Sequence, residues 1–235
     1  MASQLKPLKP YGVAGPNPPK VIMALEELGL PYEPELIGFD KVKSPEFLAI
    51  NPNGRMPALQ DPNTDLTVWE SGAILEYLVE RYDKDNKISF PAGSNESALT
   101  RQWLFFQVSG QGPYYGQAVF FTKYFGEKVP AVVERFTKEI VRVSGVLESH
   151  LSKQKGNVAE AGPEGEGPWL VGDRFTYADL SFVPWQNMIT MVPMDPEVKV
   201  TYNPNEFPNV KKWLANLLAR PAIAKGIDLA LKQLK

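Results

Sequence analysis

The 235-residue chain contains no cysteine. That absence removes disulfides, thiolate metal sites and any thiol nucleophile borne by the protein, so sulfur chemistry must use the sulfur of a ligand. Histidine is nearly absent as well. His150 falls in the helical-period run Val143, Leu147, His150, Leu151, where a packed or half-exposed ring is the expected state. Without a second histidine or a cysteine, a zinc site lacks its usual ligands, and no metal is expected. An excess of one charge is missing too: 25 Lys and Arg against 27 Asp and Glu leave a formal charge of -2. No basic surface is available to neutralise phosphates, and nucleic acid is not an expected partner. Long apolar runs are also lacking. No window reaches the ~18 uncharged apolar residues of a membrane helix, and the opening MASQLKPLKPYGVAGP lacks the apolar stretch of a secretory signal. The expectation is a cytoplasmic protein with no membrane partner.

What remains is an ordinary globular balance, 43% hydrophobic and 22% charged, in a length that suits one large or two small domains. Two halves differ in period. From Leu8 to Arg81 short elements alternate: an extended LKPYG, a helical KVIMALEELG closed by Gly29, an extended YEPELI, and a short helix from Pro45 to Ile50. The strand-like runs PALQD and LTVWE follow as a hairpin around DPNTD, and then another helix. That order is α/β and thioredoxin-like. The polar segment Asp83 to Asn95 reads as a linker. Beyond it, Val132, Phe136, Ile140, Val143 and Leu147 recur at helical spacing, as do Val210, Trp213, Leu214 and Leu217, which predicts an all-α bundle. The expected division is therefore 1–86 and 95–235. The Gly-, Glu- and Pro-rich stretch 153–168 reads as a surface loop between helices.

The chemistry concentrates in NPNGRMPAL, Asn51 to Leu59, and WESGAILEYL, Trp69 to Leu78. A proline opening a strand after a turn predicts a cis Met56–Pro57 bond that leaves the Met56 backbone N–H and C=O outside the sheet, open to an extended peptide. Glu70 and Ser71 fall at a strand end and a helix start, where backbone amides and the helix dipole favour a carboxylate. A ligand with a free α-amino acid end fits: Glu70 takes its ammonium, Ser71 and the helix start its carboxylate. Each feature alone is an ordinary turn or cap. Their combination after a βαβ-like start is far more specific.

These two stretches together resemble the glutathione-binding half of glutathione transferases. PWLVGDRFTYADLSFVPW, Pro168 to Trp185, is similar to the family's core-helix signature, in which Thr176 and Asp179 form a structural capping box. The runs GPNPPKVIMALEELG and SGQGPYYGQAVFF resemble the nu-type bacterial transferases and the fungal group of the yeast nitrogen-regulator prion protein. The resemblance implies that Met56 and Pro57 hold the cysteinyl backbone, Glu70 and Ser71 the γ-glutamyl end, and Arg55 part of the same site. It places Asn17 beside the glutathione sulfur as the catalytic residue. Where relatives use His or Gln for the glycyl carboxylate this chain has Lys41, Val42 and Lys43, and a lysine is the expected substitute. Tyr11, the nearest hydroxyl on the first strand, is the alternative at the sulfur. With Tyr114, Tyr115 and Phe120 it is also a candidate wall of the acceptor pocket.

A free thiol of pKa ~8.5 is only a few per cent thiolate at neutral pH. Lowering it by ~2 units requires ~2.7 kcal/mol of selective stabilisation. Charge-assisted hydrogen bonds of ~1.5–3 kcal/mol each supply that without a general base. The implied activities are transfer of glutathione to electrophiles, as in detoxification, and glutathione-dependent disulfide or peroxide reduction; a non-catalytic glutathione-fold regulator is the alternative. The long Asn-rich extension of the yeast regulator has no counterpart here, so a prion-like role is not expected. The resemblance also implies a homodimer. Light scattering at micromolar concentration is expected to give twice the chain mass, and a monomeric mass would count against the architectural analogy.

Overall fold

The computed structural model describes residues 5–12, 14–159, 167–191 and 198–232. By its contacts the chain divides into two units, residues 1–91 with 220–235, and residues 92–219.

The first unit opens with β1 (Lys9–Tyr11) and α1 (Pro18–Leu28). Pro18 and Pro19 stand in the first turn of α1, where a missing N–H costs nothing, and Gly29 at φ 65° ends the helix in the left-handed conformation. After α2 (Pro45–Leu48) come β2 (Ala58–Asp61), β3 (Leu66–Trp69) and α3 (Ser71–Tyr82). β2 pairs antiparallel with both neighbours, Pro10 opposite Leu59 and Leu59 opposite Val68, so the predicted hairpin forms. YEPELI does not form a regular strand. It runs parallel to β1, with Leu8 N–H donating to Pro31 O, Glu33 N–H to Leu8 O, Glu35 N–H to Pro10 O and Gly12 N–H to Glu35 O, at 2.8–2.9 Å. The bond expected in the middle needs an N–H on residue 10, which is proline, so the pairing survives as the separate bridges Leu8 to Tyr32 and Tyr11 to Glu35.

α1 packs against β1, α3 and α9 (Pro221–Lys232). Val21, Ile22, Met23, Ala24 and Leu25 are accordingly all buried, as an all-round apolar helix must be. Gly226 of α9 makes the approach possible: a Cβ there would meet Met23 Cγ at 2.6 Å. Arg220 donates to both oxygens of Glu27 at 2.7 and 2.9 Å, and Lys225 pairs with Glu26 at 2.6 Å. The expected division at 95–235 puts this last helix with the bundle; its packing is with the first unit. The expected linker is also tied to itself, since Asp83 accepts from Lys87 N–H, Ile88 N–H and the Ser89 hydroxyl at 2.6–3.0 Å.

The second unit contains α4 (Asn95–Phe106), α5 (Gly112–Lys123), α6 (Pro130–Leu151), α7 (Tyr177–Met191) and α8 (Pro208–Leu218). The buried stripe of α6 runs through Val133, Thr137, Ile140, Val143, Ser144, Leu147 and Leu151, not through Val132 and Phe136. Phe136 stacks instead on Phe121 of α5, with centroids 6.0 Å apart and planes at 18°. On α8 the predicted Val210, Trp213, Leu214 and Leu217 are all buried. Of the stretch read as a loop, 160–166 lie outside the described residues.

The Thr176/Asp179 pair is structural. Asp179, fully buried, accepts from Leu170 N–H, Thr176 N–H, the Thr176 hydroxyl and Trp213 Nε1, each at 2.9 Å. Removing the acceptor leaves buried donors unsatisfied. Asp179→Ala is expected to cost ~3 kcal/mol or more in urea denaturation, and a variant within ~0.5 kcal/mol of the parent would show that the cluster carries no stability.

Candidate functional site

The site begins with a side chain that shapes backbone. Asn51, buried, accepts from Asn53 N–H at 3.0 Å and donates to Arg55 O at 2.6 Å, closing the loop on itself. Gly54 permits the turn: its φ is +59°, and a Cβ would lie 2.7 Å from Val42 O. The Met56–Pro57 bond is cis. The β2 ladder starts at Ala58, opposite Tyr11 on one side and Trp69 on the other, so Met56 lies beyond the paired residues. Gly12, at φ +82°, lets β1 pass Met56 closely, since a Cβ would fall 2.3 Å from Met56 Sδ.

Between β3 and α3 the chain turns from strand to helix in the single residue Glu70. That residue takes φ 72°, which a side-chain-bearing residue adopts only when its surroundings demand it. Its carboxylate is exposed and accepts from Asn53 Nδ2 at 3.2 Å; Lys43 in turn donates to Asn53 O at 2.9 Å. Ser71, buried, opens α3. Its hydroxyl accepts from Lys20 Nζ at 3.4 Å. Lys20 is only 1% exposed. Burial pushes its ammonium down to about 7, with the charge of Glu70 pulling the other way.

The structure thus joins Lys43, Asn53, Glu70, Ser71 and Lys20 in one chain of polar contacts. The sequence reading missed Lys20. The available signal was a lysine set inside the otherwise apolar opening PPKVIMAL of α1. Lys41 lies exposed in the turn before α2, and Arg55 is exposed with its carbonyl held by Asn51.

Asn17 stands at the head of α1, half-buried, and its side chain makes no capping bond to the helix. Tyr11 is committed elsewhere: its hydroxyl donates to Gln60 Oε1 at 2.6 Å, and burial together with the Glu35 charge raises its pKa.

The three aromatic candidates in the second unit differ from one another. Tyr115 is fully buried, its hydroxyl within 3.2 Å of Ser144 Oγ and 3.3 Å of Gln186 Oε1, which makes it a core residue of the bundle and not a cavity wall. Tyr114 is half-buried beneath the Arg135 guanidinium, 5.8 Å from its ring centroid. Phe120 is 43% exposed beside Phe121 and Phe125. The α4–α5 junction is a π-helical turn, Gln107–Gln111, whose buried glutamines continue a ladder: Gln107 Nε2 to Gln111 Oε1 at 3.0 Å and Gln111 Nε2 to Gln186 Oε1 at 3.1 Å. No sequence pattern announced it. His150 packs against Trp103, centroids 4.6 Å apart, within 2.7 Å of Leu170 O. Among the described residues no cluster of His, Cys, Asp or Glu is suited to a metal ion, and no helix is long and apolar enough to cross a membrane.

A strand, a helix and a parallel extended segment, followed by a hairpin, a helix and an α-bundle, define a thioredoxin-like unit joined to a helical one. A polar cluster stands at the head of α3 in the first unit. The family described as Glutathione S-transferase, N-terminal domain, matches residues 6–80, and the C-terminal domain of the same name matches 118–221. The chain is 55% identical over 223 residues to the glutathione S-transferase-like protein tpcF of Aspergillus fumigatus, covering 95% of this chain and 96% of that one. The glutathione transferase URE2P8 of Phanerochaete chrysosporium, solved with oxidised glutathione, superposes with a TM-score of 0.85 at 40% identity over 99% of both chains. A glutathione transferase homologue from Lodderomyces elongisporus, solved with two GSH per subunit, does so with 0.84 at 38% identity, over 96% of this chain and 99% of that one. The chain belongs to the glutathione S-transferase family.

Proposed function

We propose that this protein binds glutathione on its first unit and stabilises the glutathione thiolate for attack on an electrophile or a disulfide. The observation that carries the reading is the group at the head of α3: an exposed Glu70 carboxylate held in the left-handed region directly before a helix start opened by Ser71. Such a pairing receives both charges of an α-amino acid, the ammonium on Glu70 and the carboxylate on Ser71 and the α3 amides. Met56, beyond the ladder, presents its N–H and C=O to the cysteinyl backbone. Lys41, Lys43 and Arg55 supply cations for the glycyl carboxylate. The relatives solved with oxidised or reduced glutathione at 38–40% identity support glutathione as the ligand.

At the sulfur, Asn17 and the head of α1 are the stabilising groups. One feature favours Asn17 over Tyr11: the Tyr11 hydroxyl already donates to Gln60. The thiolate sulfur attacks an electrophilic carbon and expels a leaving group, or attacks the sulfur of a mixed disulfide and releases the other thiolate with oxidised glutathione. The two GSH molecules per subunit of the Lodderomyces homologue support the second course, which needs room for two tripeptides.

Glu70→Ala is expected to weaken glutathione binding by ~2 kcal/mol or more, because the ligand ammonium loses its charge-assisted hydrogen-bond partner. Undiminished affinity in a folded variant, by calorimetry, would show that the peptide is held elsewhere. Asn17→Ala is expected to raise the pKa of the bound thiol and lower turnover with both an aromatic halide and hydroxyethyl disulfide, while affinity for glutathione changes little. Tyr11→Phe is expected to do neither. A thiolate absorbance titration that shifts in the tyrosine variant and not in the asparagine variant would invert the assignment. Absence of both activities in the parent protein would leave a glutathione-binding protein without catalysis.

A further inference from the structure

The mechanism above leaves one buried charged group without a task. Lys20 lies on α1, which packs against β1, α3 and α9, and its buried Nζ is 3.4 Å from the hydroxyl of Ser71. Placing an amine there is costly. An ammonium removed from water loses several kcal/mol of hydration unless a partner returns it, and an apolar side chain of similar length would fill the volume without that cost. The position of the amine is informative, because Ser71 is the residue that meets the carboxylate of the γ-glutamyl end and Glu70 is its neighbour.

We infer that Lys20 is the buried counter-charge of the γ-glutamyl carboxylate: it orients the Ser71 hydroxyl toward that carboxylate and takes up a proton when the carboxylate binds. The inference rests on the glutathione reading of the site and adds a pH dependence to it. Lys20 is a positioning residue that acts through Ser71.

The charges on the packed elements are Glu26 and Glu27 of α1 itself, Lys9 of β1, Glu76, Glu80 and Arg81 of α3, Lys225, Asp228 and Lys232 of α9, and Glu70 at the head of α3. Glu26 and Glu27 are engaged by Lys225 and Arg220. The charge that offsets burial at Lys20 is that of Glu70. When a ligand ammonium occupies Glu70, that support weakens, and the ligand carboxylate at Ser71 replaces it. In the empty site the amine is poised at about 7, so a mixture of neutral and charged forms is present at neutral pH. A bound anion favours the charged form. Affinity is therefore full below pH ~7 and falls as the pH rises above it, with the proton drawn from the buffer on binding.

S-Methylglutathione, which has no ionisable thiol, is the probe. Titration calorimetry in two buffers of different ionisation enthalpy is expected to show uptake of about half a proton at pH 7, rising toward one at pH 8, and affinity roughly five- to tenfold weaker at pH 8 than at pH 6. Lys20→Arg keeps the charge at every pH, so it is expected to bind equally at both pH values with the uptake abolished. Lys20→Met is expected to bind at pH 6 no better than the parent does at pH 8. His150→Asn, in the second unit, is expected to leave the uptake unchanged. Thermal melts establish that each variant is folded. Should the parent bind the probe with equal affinity and no proton exchange at both pH values, Lys20 is a packed core amine and the inference is overturned, whatever the variants do. Failure of the parent to bind at all overturns the glutathione reading itself, and this inference with it.

Discussion

The close packing of α1 is the constraint on which the rest of the first unit depends. The helix is covered by β1, α3 and α9, and the approach of α9 is permitted by a glycine, Gly226, where any side chain would strike Met23. That enclosure holds the start of α1, and with it Asn17, against the sheet. It also puts Lys20 out of reach of water and beside Ser71, the first residue of α3. Two helix heads are thereby held by one packed layer, one next to the expected sulfur and one next to the expected amino acid end. The pairing of Arg220 and Lys225 with Glu27 and Glu26 anchors α9 at the far end of α1, so the C-terminal segment supports the ligand-binding unit although it follows the bundle in sequence.

What could be read from the sequence, and what could not, follows from the range of the interactions involved. Local signals carried far: the Gly29 stop of α1, the DPNTD hairpin, the cis Met56–Pro57 bond and the Thr176/Asp179 box each involve residues within a few positions of one another. Pairing was harder. YEPELI has strand composition, yet its regularity fails because of Pro10 on the neighbouring strand, a residue more than twenty positions away. On α6 the period was right and the phase partly wrong, since Phe136 finds Phe121 on α5 while Thr137 and Ser144 turn inward with their hydroxyls bonded. Assignment of α9 to the bundle failed for the same reason: a helix following a bundle in sequence is free to pack elsewhere.

At the candidate site, the residues expected to meet a ligand were proposed from motif spacing, whereas those that hold them could not be. Asn51 clamps the loop before Met56, Asn53 links Lys43 to Glu70, and Lys20 reaches Ser71 across fifty-one positions. Each is a polar residue whose role exists only after the chain has folded. The aromatic candidates show the converse error. Tyr114, Tyr115 and Phe120 share a helix, and spacing alone cannot tell Tyr115, whose hydroxyl is satisfied inside the bundle, from Phe120, which is partly open to water.

The distribution of charge around the site fits its proposed ligand. The candidate site brings together the exposed carboxylate of Glu70, the buried amine of Lys20 and the exposed cations Lys41, Lys43 and Arg55. Glutathione carries one ammonium and two carboxylates, so a site matched to it needs a single anion and cations at two separated places. On the proposed reading the buried amine serves one carboxylate and the exposed cations the other. The two are not equivalent. A buried ammonium is screened less by salt than an exposed one, and it depends more on a nearby anion to hold its charge. On the proposed reading, discrimination for the γ-glutamyl end rests on the buried group. Because the chain has no cysteine, any thiol chemistry proposed for it depends on a ligand's sulfur, and secure placement of the γ-glutamyl end is then its first requirement.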